Sequence, residues 1–164
     1  MTPILVVTTG GTIDKAYFDA LSQYQIGASV VARLLQIANV TQTYRVVEFS
    51  RKDSLDLTDA DREGLQQLIA NAAEANVVVT HGTDTMTESA NVLKAILNKM
   101  IVLTGALAPA RFAESDAAFN LGMAFGVAQS AAPGVYLAMN GQVFPAGTVR
   151  KDREHARFVP IAPS

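Results

Sequence analysis

The chain has 164 residues, 49% of them apolar and 17% charged, with a net charge of −2 and no cysteine. That size suits one domain with a substantial core. The lack of a basic run excludes an electrostatic nucleic-acid surface, and the lack of cysteine excludes disulfides, thiolate ligands and a cysteine nucleophile. No apolar stretch approaches the roughly 18–20 residues of a membrane span, and His81 and His155 lie too far apart in sequence to mark a metal site.

The first apolar run, 3–8 (PILVVT), predicts a strand beginning two residues into the chain. No basic segment or cleavage site precedes it, so no leader is expected and the protein is read as cytoplasmic. Residues 29–38 predict a helix capped by Ser29 that buries Val31, Leu34, Leu35 and Ala38. A strand follows at 45–50 (RVVEFS), then a helix over 58–74 that starts at Thr58 with Asp59 and Asp61 in its first turn. Residues 77–81 (VVVTH) predict the next strand, and 85–98 a helix in which Thr85 and Glu88 have capping-box spacing. A strand at 100–104 (MIVLT) precedes a helix at 115–130, which runs from Ser115–Asp116 through Phe119, Met123 and Val127. Its small Ala and Gly residues predict close packing on the sheet. Pro133–Gly134 breaks the chain before a last strand at 135–139 (VYLAM), and 142–149 predicts a short hairpin. The strands are almost continuously apolar, as strands buried on both faces are. Their alternation with helices predicts a single α/β domain over 1–164: an open, doubly wound, flavodoxin-like, mostly parallel sheet with helices on both faces.

In such folds the ligand sits at the carboxyl ends of the strands, and the polar residues collect there. The first strand ends in Thr9, Gly10, Gly11 and Thr12; the second in Arg51, Lys52, Asp53 and Ser54; the third in Gly82, Thr83, Asp84 and Thr85; the fourth in Gly105 and Ala106; the fifth in Asn140 and Gly141. TGGTIDK at 9–15 lacks the spacing of a dinucleotide fingerprint or a P-loop. A hydrolase with a threonine nucleophile is the better reading. It needs a base and a group to orient that base, and Tyr24, Lys151, Asp84 and Glu48 are all possible helpers.

TTGGTIDK at 8–15 and HGTDTM at 81–86 together resemble the two signatures of the bacterial-type L-asparaginase and glutaminase-asparaginase family. Tyr24 and Gly27 in YQIG, Ser54, Gly105–Ala106 and Lys151 extend the resemblance over nearly the whole chain, which corresponds to the N-terminal domain of the usual member. The resemblance implies that Thr12 is the nucleophile, with Tyr24 on a mobile flap hydrogen-bonded to it. Thr83, Asp84 and Lys151 form a second triad in which the lysine activates a threonine. Ser54 holds the substrate's α-carboxylate and Asp84 its α-amino group. The N–H groups of Thr83 and Ala106 receive the oxyanion, and Gly11 and Gly82 line the substrate. Hydrolysis of L-asparagine through an acyl-enzyme is implied, with no cofactor and no metal.

Two departures from the resemblance bear on substrate binding. Longer members add a C-terminal domain that supplies an acidic residue to a neighbour's site, and Leu55 stands where they commonly carry glutamine. Weaker recognition of the α-amino group and little glutaminase activity are expected. Two other readings stay open: an amidohydrolase for a larger amide, and an amino-acid-binding module without catalysis. Self-association into a homo-oligomer is expected from the open site edge, with help from the apolar PIAPS tail. Thr9, Ser54 and Thr85 each have a plain structural reading as turn or cap residues, His81 as a satisfied strand-end histidine, Asp14 and Lys15 as flap or surface residues, and Lys151 as part of the solvated run RKDRE.

Overall fold

The computed structural model describes residues 2–162, so the end of the PIAPS tail lies outside the described residues. The elements in chain order are β1 (Ile4–Gly10), β2 (Lys15–Phe18), β3 (Gln23–Ile26), α1 (Val31–Ile37), β4 (Tyr44–Lys52), α2 (Asp59–Asn71), β5 (Asn76–Thr80), α3 (Met86–Leu93), β6 (Met100–Thr104), α4 (Ala117–Ser130), β7 (Gly134–Met139), β8 (Gln142–Pro145), β9 (Val149–Asp152) and β10 (Arg157–Pro160).

The central sheet has the order β4-β1-β5-β6-β7-β8. Its first five strands are parallel, and β8 runs antiparallel to β7. Taken by themselves, the parallel strands have the 2-1-3-4-5 order of the flavodoxin-like doubly wound fold. The strand order therefore reverses beside β1, between β1 and β5. Thr8 pairs with Thr80 and Thr80 with Thr104, so β5 and β6 end level, β1 runs two residues further to Gly10, and their loops open along one edge.

Alternation along each strand feeds two cores. Leu5, Val7, Val77 and Val79 pack with Leu65 and Ile69 of α2 and Ala90 and Leu93 of α3. Ile4, Val6, Val78 and Val102 pack with Val31 and Leu35 of α1 and Leu121 and Ala124 of α4. Each fully buried aliphatic side chain contributes about 1.5–3 kcal/mol relative to exposure, which is why these strands read as continuous apolar runs.

Several local expectations are corrected. Leu34 of α1 is only half-buried and Ala38 is exposed. α4 buries Ala117, Leu121, Ala124, Phe125 and Ala128, whereas Phe119 is 64% exposed and a Cβ added at Gly122 or Gly126 would meet nothing within 4 Å. The helical period puts the alanines on the sheet and the glycines on the outer face. Thr58 and Asp61 form a true capping box, with bonds of 3.2 and 2.8 Å. Thr85 and Glu88 do not: the Thr85 hydroxyl donates to the Ser54 carbonyl at 2.8 Å, and Glu88 meets the Arg62 guanidinium at 3.1 Å. The hairpin expected at 142–149 is absent. Asn140 and Gly141, with φ of 54° and 70°, make the two-residue turn that returns β8 along β7, as Asn-Gly pairs in the left-handed region do. Residues 149–152 pair instead with β10.

Candidate active site

The loops that leave β1 and β5 carry Gly11 and Gly82, and the geometry explains why. Gly11 has φ of 85°, and a Cβ there would lie 2.4 Å from the Gly82 nitrogen; a Cβ on Gly82 would lie 2.6 Å from Cβ of Ser54. The loops after β1, β4 and β5 are thus stacked in backbone contact, which only glycine permits. Thr9 is structural, its hydroxyl donating to the Thr80 carbonyl at 2.9 Å. Thr12, half-buried, opens a short 3-10 turn over Thr12–Asp14.

Asp14 proves to be neither a surface residue nor part of the flap. It is 1% exposed and accepts the Val30 N–H at 2.9 Å, while Ser29 accepts that of Val31 at 3.3 Å. Asp14 and Ser29 together meet the start of α1, which ties the Thr12 loop to that helix. Burial pushes the Asp14 carboxyl above its ordinary range, against the Val30 hydrogen bond that favours its charge. The β2–β3 hairpin that follows was not visible in the sequence, because its exposed aromatics break the apolar pattern of a buried strand.

Ser54 is buried, sits against Gly82, and accepts the Thr85 N–H at 3.3 Å. Thr83 is buried, and Asp84 beside it is partly exposed. Lys151 reaches both from β9: its Nζ donates to Thr83 Oγ1 at 2.7 Å and to Asp84 Oδ1 at 2.8 Å. The Lys151 ammonium holds the Asp84 carboxyl below its usual range, and Arg153, 3.5 Å away, adds to the effect. Only 16% of the Lys151 side chain is exposed, so the solvated reading of RKDRE fails at this residue. Its hairpin is held by Phe158, which pairs with Lys151 across β9–β10, is 2% exposed in the core beside α2 and α3, and donates its N–H to Asn140 Oδ1 at 2.9 Å. Neither the Thr83 N–H nor the Ala106 N–H is engaged by another group among the described residues.

His81 is fully buried between the Gly82 carbonyl and Ser89 Oγ, each 2.7 Å away, and Arg62 Nε donates to the same Ser89 hydroxyl at 3.2 Å. Ser89 therefore gives its proton to Nε2, and Nδ1–H faces Gly82. Burial lowers the His81 pKa to about 4, so the ring is neutral and serves the loop rather than proton transfer.

Tyr24 stands on β3, 52% exposed, its ring 5.3 Å from Tyr17 and 5.8 Å from Phe112. It lines the same cavity as Thr12, but no hydrogen bond joins the two side chains. The structure thus brings Gly11, Thr12, Ser54, Gly82, Thr83, Asp84, Ala106 and Lys151 to one edge, with Tyr24 above them. Sequence reasoning missed Asp14, Arg153 and the anchoring role of Asn140. Among the described residues no three His, Cys, Asp or Glu side chains gather as a metal-binding group. The arrangement offers a hydroxyl in a glycine-lined loop, an amine–hydroxyl pair at proton-transfer distance, a carboxylate orienting the amine, and two open N–H donors.

Known proteins share this arrangement of chain. A family described as asparaginase, N-terminal, matches residues 3–157. The glutaminase-asparaginase of Acinetobacter glutaminasificans is 31% identical over 164 residues, covering 90% of this chain and 49% of its own. The probable cytoplasmic L-asparaginase of Campylobacter jejuni superposes with a TM-score of 0.83 at 27% identity, over 98% of this chain and 52% of its own. L-asparaginase I of Vibrio cholerae does so with a TM-score of 0.85 at 26% identity, over 99% and 52%. The chain spans about half the length of the relatives it matches.

Proposed function

The chain belongs to the asparaginase family through its N-terminal domain, and on that premise we propose that it is an L-asparagine amidohydrolase acting through Thr12. The carrying observation is Lys151 bridging Thr83 Oγ1 and Asp84 Oδ1 at 2.7 and 2.8 Å beside the glycine-lined Thr12 loop. A binding module needs no such amine–hydroxyl pair.

In this reading Ser54 and Asp84 hold the α-carboxylate and α-amino group. Thr12 Oγ attacks the side-chain carbonyl, with Tyr24 closing over it from the hairpin. The open N–H groups of Thr83 and Ala106 receive the oxyanion, a contribution of about 3–4 kcal/mol for one such donor in other enzymes. The C–N bond breaks as its nitrogen takes up the proton given up by the Thr12 hydroxyl and leaves as ammonia. Water activated by the Lys151–Thr83 pair then cleaves the ester to release aspartate and return a proton to Thr12 Oγ. No cofactor takes part in this scheme. The name of the Acinetobacter relative favours glutamine as a second substrate; exposed Leu55 beside Ser54, with no amide to hold the longer substrate's head, argues for a preference for asparagine. We include in the proposal cytoplasmic action, as in the name of the Campylobacter jejuni protein, and a homo-oligomeric form. Ile37 at 71% and Phe119 at 64% exposure are two separate apolar side chains that a second copy would cover.

The test is ammonia release from L-asparagine by the purified chain. Thr12→Ala and Lys151→Met are each expected to lose at least ~10⁴-fold in kcat, the scale seen when members of a catalytic triad are removed. An active Thr12→Ala variant would refute the assignment. A folded wild-type chain that binds asparagine without releasing ammonia would make it a binding module.

A further inference from the structure

Thr12 has two unlike neighbourhoods. Through Gly11 it adjoins Gly82, and through Gly82 it adjoins Ser54, Thr83 and Asp84. Its other side forms the wall of a cavity of about 280 Å³, shared with Lys15, Tyr24, Leu107, Pro109 and Phe112. Tyr24 and Phe112 meet there nearly edge to face at 68°. Tyr24, Leu107 and Phe112 are 52%, 36% and 45% exposed, so a polar site opens onto apolar surface. The ammonium of Lys15 is paired with Asp53 at 3.6 Å, which directs its charge toward the Ser54 loop.

An unsubstituted amide has no group to place in this cavity, because its nitrogen carries only hydrogens. A secondary amide is planar and trans, so its nitrogen substituent extends away from the carbon that carries the amino-acid head. With the head at Ser54 and Asp84 and the carbonyl carbon at Thr12, that substituent enters the aromatic cavity. The space is open to solvent on one side and has room for one ring laid against Tyr24 and Phe112.

We propose that the site accepts secondary β-amides of aspartate whose nitrogen bears one apolar group of benzyl size. This rests on the amidohydrolase reading above and names its substrate class. Thr12 Oγ bonds to the carbonyl carbon, the C–N bond breaks, and the nitrogen leaves as a primary amine carrying the proton given up by the Thr12 hydroxyl. Water then adds to the ester, the bond to Thr12 breaks, and a proton returns to Oγ. The net reaction is amide plus water to aspartate plus amine, with no redox change.

L-aspartate β-benzylamide and L-asparagine are compared by release of benzylamine, ammonia and aspartate from the purified chain. The kcat/KM for the benzylamide is expected to equal or exceed that for asparagine, since burial of a phenyl group supports roughly a ten-fold or larger gain. Phe112→Ala is expected to lower the benzylamide-to-asparagine ratio of kcat/KM at least five-fold, with Phe112→Leu intermediate; the ratio is insensitive to loss of folded protein. Hydrolysis of asparagine with a hundred-fold lower kcat/KM for the benzylamide, or a ratio unmoved by Phe112→Ala, overturns the proposal and leaves the amidohydrolase reading standing. Hydrolysis of neither overturns both.

Discussion

Acidification erodes the stability contributed by neutral His81 while most carboxylates are still ionised, and the consequence can be worked from the structure. The ring is neutral in the fold because burial pushes its pKa from 6.5 to about 4. A histidine with a depressed folded pKa gives its full stabilisation above the unfolded value, and that stabilisation fades as the pH falls from 6.5 toward 4. At pH ~4.5 the two values imply a loss of about 2–3 kcal/mol relative to pH ~7.5, a large share of the roughly 5–15 kcal/mol that holds a domain folded. The structural reason is local. Protonated Nε2 would face a Ser89 hydroxyl already accepting from Arg62, and Ser89 would need a new acceptor for its own proton. Asp14 works in the opposite sense. Its raised pKa means the fold takes up its proton before the unfolded chain does, so stability is regained as the pH falls from that raised value to 3.8. Urea unfolding followed by far-UV circular dichroism at several pH values measures the net slope. In His81→Gln, which cannot titrate, the downward slope should flatten to the part left by ion-paired carboxylates such as Glu48 and Glu74, even though the variant starts from a lower stability. An equal loss of stability on acidification in both proteins would refute the assignment of the slope to His81.

Gly11→Ala places a Cβ 2.4 Å from the Gly82 nitrogen at a φ of 85°; left-handed backbone alone costs about 1–2 kcal/mol, and the forced shift of the Thr12 loop should lower kcat by about 100-fold, measured on protein shown to be folded. Asn140→Ala removes the acceptor of the Phe158 N–H; losing that bond costs about 1–3 kcal/mol, and we expect kcat to fall more than KM rises, whereas an unchanged kcat would show that the β9–β10 hairpin holds Lys151 unaided. Leu55→Gln should lower KM for asparagine by about 2–10-fold, the worth of one hydrogen bond, and a wild-type chain that uses glutamine as well as asparagine would contradict the role given to Leu55. In analytical ultracentrifugation, Ile37→Lys with Phe119→Lys should shift an oligomer toward monomer; a monomeric wild type would end the homo-oligomer proposal.

The parallel strands were readable because each is buried on two faces, so the sequence had to be apolar at successive positions, as in Val77–Val78–Val79. The edge on which Thr12, Ser54, Thr83 and Ala106 gather followed from the same logic, since strand ends in such a sheet share one side. What could not be read depends on distant partners. Lys151 sits among charges whose pattern is that of solvent-facing residues, and its contacts lie 67 and 68 residues away. Thr85 has every local feature of a cap, yet its hydroxyl is taken by Ser54, 31 residues earlier. The β2–β3 hairpin carries aromatics on an exposed ribbon, a pattern that no buried-strand template matches. The Asn140–Gly141 turn does have a local signal in its two residues, and it joins β7 to β8 just before the 142–149 segment.

The Lys151 hairpin stands outside the six-stranded sheet and is fastened to it through Phe158 and Asn140. Lys151 therefore stands across the ladder from a core side chain, and Val149 on its own strand is buried in that core too, so two short strands carry both packing and the amine. A change at Val149 or Phe158 loosens the core and displaces the Lys151 ammonium together, so at these positions loss of packing and loss of the Thr83–Asp84 contact arrive as one event.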